Sequence, residues 1–152
     1  MPRIEQSVTI EAPVAKVWAV AREIEAFPQF MADLQSLKVI ERSPDDRRTV
    51  TEWVGLIAAF KMKVKWTQED LWDESAHRDT FRMLQGDMDR MEGTWQFVSE
   101  AEGRTRFDSV VDYEYNVPMV GPMVKGLIKK LMTENLQATL NAIKARAEQS
   151  VS

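Results

Sequence analysis

The sequence predicts an α+β fold, in which an antiparallel sheet of six or seven strands packs against one long C-terminal helix, with a short helical corner after the first strand. Three observations predict it. Apolar and polar residues alternate at the start and through the middle of the chain, helical spacing follows the first strand, and a long helical stripe ends the sequence. With 152 residues, we expect a single domain over 1–152.

The first strand and the corner are defined by a change of period. Residues 4–11 alternate between two faces, which predicts a half-buried strand that ends before Pro13. A helix is predicted from Pro13 onward, because apolar residues then recur every three or four positions, at Val14, Val17, Trp18, Ala21 and Ile24. Phe27-Pro28 interrupts this helix, and a second short helix or a turn near Phe30 completes the corner.

Residues 34–116 predict a meander of strands and turns. The expected breaks are residues 43–46, a position near Gly55, and residues 73–76, 86–90 and 99–103. The clearest strand carries Phe60, Met62, Val64 and Trp66 on one face and Lys61, Lys63 and Lys65 on the other. Such a one-sided pattern is typical of an antiparallel sheet with one buried face. Later strands repeat it with Gly93, Trp95 and Phe97, and with Phe107, Val111, Tyr113 and Tyr115.

The last predicted element is a helix of about 25 residues, which at 1.5 Å per residue is ~37 Å long. Its apolar stripe follows Gly121-Pro122 and comprises Met123, Leu127, Leu131, Met132, Leu136, Leu140, Ile143 and Ala147. A helix of this length buries its stripe only by lying across the sheet.

Composition excludes several classes of protein. The chain has no cysteine, so it contains no disulfide, thiolate nucleophile or cysteine-ligated metal. Its net charge of −4 weighs against broad binding of nucleic-acid phosphates. It has no run of 18 apolar residues, and its first residues do not resemble a signal peptide. We therefore expect a cytoplasmic protein that binds no nucleic acid.

Common catalytic and cofactor motifs are also missing. The single histidine, His77, follows a polar turn and is expected in a solvated loop, and no serine is flanked by a nucleophile-elbow pattern. The glycines are isolated, which gives nucleotide binding no support. Asp87, Asp89 and Glu92 lack the further ligands of a calcium loop and indicate a polar hairpin. We expect no cofactor and no metal.

Three stretches carry a family resemblance: Ile10-Glu11-Ala12-Pro13 with Val17-Trp18, residues 84–97 with Gly86, Met91, Gly93, Trp95 and Phe97, and the entry to the last helix from Pro118 to Pro122. Together they resemble the START/Bet v 1-like superfamily over nearly the whole chain. They are most similar to its polyketide cyclase/dehydrase-like branch, and within it to coenzyme Q-binding START-like proteins. The resemblance implies a helix-grip fold, in which a curved sheet wraps around the last helix and leaves an apolar cavity for a ligand.

Five tryptophans and nine methionines supply rigid and adaptable apolar surface, which fits either a core or a ligand cavity. Trp18 is expected in the core. The resemblance implies a ligand-binding set of Trp53, Met62, Trp66, Gln68, Phe81, Met83, Gln85, Trp95, Tyr113, Tyr115, Met123, Leu127 and Leu131. The polar side chains Gln68, Gln85, Ser109, Tyr113 and Tyr115 either orient a ligand or are satisfied within the fold.

The function expected first is binding or transport of a hydrophobic small molecule, whether a lipid, a quinone or isoprenoid, or a polyaromatic compound. A polyketide cyclase or dehydratase is the alternative, with Glu69, Asp70 and Tyr113 as weak candidates for proton transfer. In similar aromatase/cyclases a cavity arginine follows a Trp-x-x-Glu stretch. Here Asp70 stands at that place, which removes an oxyanion-stabilising cation, and Arg82 replaces it only if its strand is shifted.

A third alternative is a protein-interaction role, such as that of a ribosome-association toxin. A surface partner is also considered: Lys125, Lys129 and Lys130 lie near Met119, Val120 and Met123, a pattern that fits either a solvated face or transient contact with a membrane surface. The oligomeric state is left open by the sequence.

Overall fold

The computed structural model describes residues 2–32, 34–57, 62–115 and 122–149. They form a seven-stranded antiparallel sheet and a long C-terminal helix, which confirms the α+β prediction. The elements are β1 Arg3–Ile10, α1 Val14–Arg22, a 3₁₀ turn Ile24–Ala26, α2 Phe27–Phe30, β2 Leu34–Arg42, β3 Arg48–Ile57, β4 Met62–Asp73, β5 Arg78–Gly86, β6 Arg90–Ala101, β7 Arg104–Glu114 and α3 Pro122–Glu148.

The strand order is β1-β7-β6-β5-β4-β3-β2, so strands β2 to β7 form the predicted meander. Strand β1 pairs with the last strand, β7, through Ile4 opposite Val111 and Ile10 opposite Thr105. The helical corner formed by α1 and α2 therefore carries the chain from one edge of the sheet to the other.

The predicted break near Gly55 is displaced by at least two residues. Strand β3 continues through Gly55, which pairs with Val64 on β4, and ends at Ile57. A single glycine weakens a strand but does not end it when the neighbouring residues keep their ladder hydrogen bonds. The predicted residues Phe60, Lys61, Met119 and Val120 lie outside the described residues.

The core lies on one face of the sheet, here called the inner face, and is covered by α1 and the second half of α3. Trp18 of α1 belongs to this core, as predicted, with its ring centroid 5.8 Å from that of Trp72 and 5.9 Å from that of Phe97. Leu140 and Ile143 of α3 are fully buried. In the part of the chain that the structure describes, no helix is long and apolar enough to span a bilayer.

Candidate ligand-binding site

The two halves of α3 are packed very differently. In the second half, Leu140, Ile143 and Ala147 are fully buried, and Lys144 Nζ donates a hydrogen bond to the Thr9 carbonyl of β1 at 2.6 Å. In the first half, Met123 is 88% exposed and Leu127 is 41% exposed. The helix therefore closes the grip at its C-terminal end, whereas its N-terminal half leaves apolar surface uncovered among the described residues.

A tryptophan stack lies on the inner face at the less covered end of the sheet. Trp53 of β3 is directly opposite Trp66 of β4, and their rings are stacked with centroids 5.5 Å apart at an interplanar angle of 12°. Both rings are only partly buried. The residue opposite Trp66 on β5 is Gly86, so β5 contributes no side chain beside this ring at that register.

Gly86 is required at this position by the close approach of two backbones. A Cβ at residue 86 would lie 2.5 Å from Trp66 Cβ and 2.8 Å from the Lys65 carbonyl oxygen. Any larger residue would therefore push β5 away from the tryptophan stack, since real Cβ atoms do not approach other atoms this closely.

A line of polar side chains follows β4 from the stack into the core. Trp66 Nε1 donates a hydrogen bond to Gln68 Oε1 at 2.9 Å, and Gln68 Nε2 donates one to Asp70 Oδ1 at 3.0 Å. Gln68 is 7% exposed and Asp70 is 4% exposed. A second branch ties down Trp53, whose Nε1 donates to Thr51 Oγ1 at 2.6 Å. Both indoles of the stack are thus anchored in one buried hydrogen-bond network.

Asp70 meets a second buried carboxyl group, that of Asp79 on β5. The two side chains are hydrogen-bonded to each other, and burial raises the pKa of both. The pKa of Asp79 is raised well above its ordinary value, first by burial and then by the charge of Asp70, so the pair holds a proton to higher pH than ordinary carboxyl groups do. Arg22 of α1 favours the charged form of both groups.

Sequence reasoning missed Asp79 and the inner-face threonines Thr49 and Thr51. A usable signal was present, because the alternation that placed Phe81 and Met83 on the inner face extends back to Asp79. The same parity extends from Trp53 to Thr51 and Thr49, and Thr49 Oγ1 accepts a hydrogen bond from Trp72 Nε1 at 3.0 Å.

Glu69 lies on the opposite, outer face of β4. Its two carboxylate oxygens accept hydrogen bonds from Arg48 Nε at 2.7 Å and Arg82 Nε at 2.9 Å. The hydrogen bond from Arg48 is the largest of the effects that lower the pKa of Glu69. Arg82 therefore forms an ion pair with Glu69 on the outer face and does not supply a cation beside Asp70.

The outer face also carries a depression of about 470 Å³ above Gly93. Its lining combines apolar residues such as Leu71 and Val110 with charged side chains that are paired, including Arg3 with Asp112 at 2.8 Å and Arg82 with Glu69 at 2.9 Å.

The sheet register groups much of the expected set on the inner face: Trp53, Trp66, Gln68, Phe81, Met83, Trp95 and Tyr113. Tyr113 is buried, which raises the pKa of its hydroxyl, and Tyr115 is half-buried beyond β7. Leu131 is half-buried on α3. The side chain of Met62 lies outside the described residues.

Gln85 is separated from this group by a β-bulge. The pairing of β4 and β5 shifts between Thr67 and Gln68, so Gln85 is opposite Thr67 and exposed to solvent. His77 lies in the predicted turn between β4 and β5 but is half-buried, with its ring centroid 5.4 Å from that of Trp18.

The seven-stranded antiparallel sheet and the long helix that it grips form the helix-grip fold that the resemblance implied. A family profile described as "Polyketide cyclase / dehydrase and lipid transport" matches residues 10–144, and the chain belongs to this family. Comparison with curated protein sequences finds no significant match.

Solved structures agree with this assignment. The chain is similar to TTHA0849 of Thermus thermophilus, with 34% identity and a TM-score of 0.89 over 96% of this chain and 97% of that one. It is similar in fold to the Zhui aromatase/cyclase of Streptomyces sp. R1128, at 19% identity and a TM-score of 0.87 over 97% and 93% of the two chains. A START superfamily protein of Mycobacterium smegmatis gives 22% identity and a TM-score of 0.82 over 97% of each chain.

Proposed function

We propose that this protein binds a hydrophobic small molecule between the inner face of the sheet and the first half of α3. The observation that carries the proposal is the uneven packing of the apolar stripe of α3, in which Leu140, Ile143 and Ala147 are fully buried while Met123 and Leu127 stay exposed. The partly buried rings of Trp53 and Trp66 provide a rigid apolar wall at the same end. A lipid, a quinone or isoprenoid, or a polyaromatic compound has the matching chemistry.

Apolar burial alone supplies enough free energy for such a ligand. Removing ~300 Å² of apolar ligand surface from water is worth up to ~7.5 kcal/mol before ordering costs are subtracted. Binding therefore needs no covalent step and no metal.

Native mass spectrometry of protein isolated from its own host tests the proposal. We expect a co-purifying apolar molecule, and micromolar binding of at least one member of a panel of palmitic acid, farnesol, a short-chain ubiquinone and 2-naphthol. Spectra that remain empty, together with no binding of any panel member, would contradict it.

A matched pair of variants on β4 locates the site. Trp66→Ala removes a ring of the inner-face stack, and we expect it to weaken panel binding at least about tenfold, since a large aromatic contact is lost. Leu71→Ala removes a side chain that is 48% exposed, five residues further along the same strand. It is expected to leave affinity unchanged, and equal losses in the two variants would place the ligand elsewhere.

A cyclase or dehydratase is the second candidate, and the buried carboxyl of Asp70 favours it. A carboxyl whose pKa is raised by burial suits proton transfer. The missing arginine at this position weighs against it. Once a turnover assay exists, Asp70→Asn should abolish turnover while ligand binding is kept, and full activity of this variant would exclude Asp70 as the acid or base.

The first half of α3 also favours contact with an anionic membrane surface. Lys125, Lys129 and Lys130 are exposed beside Met123 and Leu127, and the segment from 122 to 133 contains no acidic residue. We expect sedimentation with vesicles of phosphatidylcholine and phosphatidylglycerol but not with phosphatidylcholine alone. Equal sedimentation with both, or with neither, would contradict this contact.

A further inference from the structure

The amide of Gln68 has only one possible orientation. An indole N–H donates hydrogen bonds and never accepts them, whereas a carboxylate only accepts. Because Trp66 Nε1 lies 2.9 Å from one end of the amide and Asp70 Oδ1 lies 3.0 Å from the other, the first end must be the carbonyl oxygen and the second the NH₂ group. The hydrogen-bond partners thus determine which way the amide points.

The bond from Trp66 determines this orientation on its own, because a reversed amide would place its NH₂ group against the indole N–H.

The backbone of Gln68 is held as well. The hydroxyl of Thr51 donates to the Gln68 carbonyl oxygen at 3.5 Å and at the same time accepts the indole hydrogen of Trp53 at 2.6 Å. Because of its hydrogen bonds to Asp70 and Trp66, the Gln68 side chain directs its NH₂ group along β4 into the core and its Oε1 toward the Trp53–Trp66 stack. An amide oxygen has two lone pairs, and the bond from Trp66 uses one of them.

We propose that Gln68 Oε1 accepts a hydrogen bond from the ligand bound between the inner face of the sheet and the first half of α3. Gln68 is then the residue that determines specificity, and the protein selects apolar ring compounds that bear a hydroxyl or N–H donor. Trp66 and Asp70 hold the amide with this oxygen at the end toward the tryptophan stack. The inference rests on the binding function proposed above and adds the polarity of the ligand to it. A phenol, an alcohol or a hydroquinone fits, whereas a ligand with ether or ketone oxygens alone places an acceptor against an acceptor.

Two probes of nearly equal shape test the selection. 2-Naphthol carries an O–H donor, and 2-methoxynaphthalene has the same ring system without it. By calorimetric titration we expect the wild-type protein to bind 2-naphthol about five to ten times more tightly, the range of one hydrogen bond. In ¹⁵N-labelled protein saturated with each probe in turn, the side-chain amide signal of Gln68 should shift further with 2-naphthol than with 2-methoxynaphthalene.

Variants test the hydrogen bond of Gln68 separately from the stability of the fold. Gln68→Leu should reduce the affinity ratio of the two probes to about 1 while 2-methoxynaphthalene still binds. Asp70→Asn, which is nearly isosteric, should keep the ratio, because Trp66 Nε1 still requires the carbonyl oxygen at its end of the Gln68 amide. Gln35→Leu, at an exposed position of β2, is the matched control and should keep the ratio. Circular dichroism verifies that each variant is folded.

The outcomes distinguish the two proposals. Equal affinity of both probes for the wild-type protein, or a ratio unchanged in folded Gln68→Leu, overturns the role of Gln68 while ligand binding stands. If neither probe and no member of the lipid and quinone panel binds, the proposed ligand binding is contradicted, and the proposed role of Gln68 is contradicted as well.

Discussion

Gly93 of β6 lies against the ring of Phe81, and this contact determines which residue the position accepts. A Cβ at residue 93 would be 2.2 Å from the Val110 carbonyl oxygen and 2.8 Å from Phe81 Cζ. Gly126 of α3 differs, because a Cβ there would have no atom within 4 Å.

We expect opposite effects from alanine at these two glycines. Gly93→Ala should lower the free energy of unfolding by about 1–3 kcal/mol through overpacking. Gly126→Ala should raise it by about 0.5–1 kcal/mol, since alanine is the better helix former and meets no clash. Urea denaturation measures both, and a destabilised Gly126→Ala would show that the first half of α3 is not free at this position.

The buried Asp79 should make the protein less stable as pH rises. Its pKa is raised in the folded state, so the unfolded chain releases this proton from about pH 4 upward while the folded protein keeps it. The contribution of Asp79 is fully present below about pH 4 and is lost as pH rises toward the folded pKa. Asp79→Asn keeps a donor for Asp70 and cannot ionise, so its free energy of unfolding relative to wild type should increase from about pH 4 to about pH 8.

Glu69 provides the comparison of opposite sign. Its pKa is lowered in the folded state, so its contribution is present above its ordinary pKa and is lost as pH falls. Glu69→Gln should therefore cost about 1 kcal/mol at about pH 7, discounted for the exposure of Arg48 and Arg82, and nearly nothing at about pH 3. Urea unfolding measures the free energy of unfolding of each variant relative to wild type. If this difference does not change with pH, the shift in pKa assigned to the replaced residue is contradicted.

At the scale of elements, α3 is one helix with two packing environments. The sequence predicted the helix and its apolar stripe, which together describe its length and its face. They did not predict that Leu140 would be fully buried while Leu127, on the same stripe, stays 41% exposed. Burial along the stripe depends on where β1 and α1 meet the helix, which local periodicity does not contain.

A pair of leucine variants measures this difference. Leu140→Ala should cost about 2–5 kcal/mol in the free energy of unfolding, because it leaves a cavity in the core. Leu127→Ala should cost less than about 0.5 kcal/mol, as surface substitutions do. Similar costs for the two would mean that the first half of α3 is packed in solution as tightly as the second.

The β4–β5 pair shows where residue parity fails. Alternation correctly brought Trp66, Gln68, Phe81 and Met83 to the inner face. The register shift between Thr67 and Gln68 then moved Gln85 opposite Thr67, since one extra residue in a strand reverses the face of those that follow it. No motif in the sequence marks this bulge.

At the scale of the whole molecule, the sheet and α3 form a grip that is closed at one end. A ligand bound at the other end should stabilise the native state by ~2.7 kcal/mol at a free concentration about 100 times its Kd. Hydrogen exchange with saturating 2-naphthol should slow in β3, in β4 and in residues 123–131, and change little in residues 134–148. Uniform slowing over the chain, or slowing confined to the outer face, would contradict a site in the grip.

The sequence by itself determined the elements of this protein and the inner face of most strands, because hydrophobic periods of two and of about 3.6 are local properties. It also carried the family resemblance, and it identified Trp53, Trp66 and Gln68 as members of the candidate ligand-binding set. Only the tertiary structure decided that Asp70 meets Asp79, that Arg82 turns to Glu69, and that Met123 and Leu127 of α3 stay exposed. These depend on strand register and on contacts between residues distant in the chain, and both are settled by packing the whole molecule.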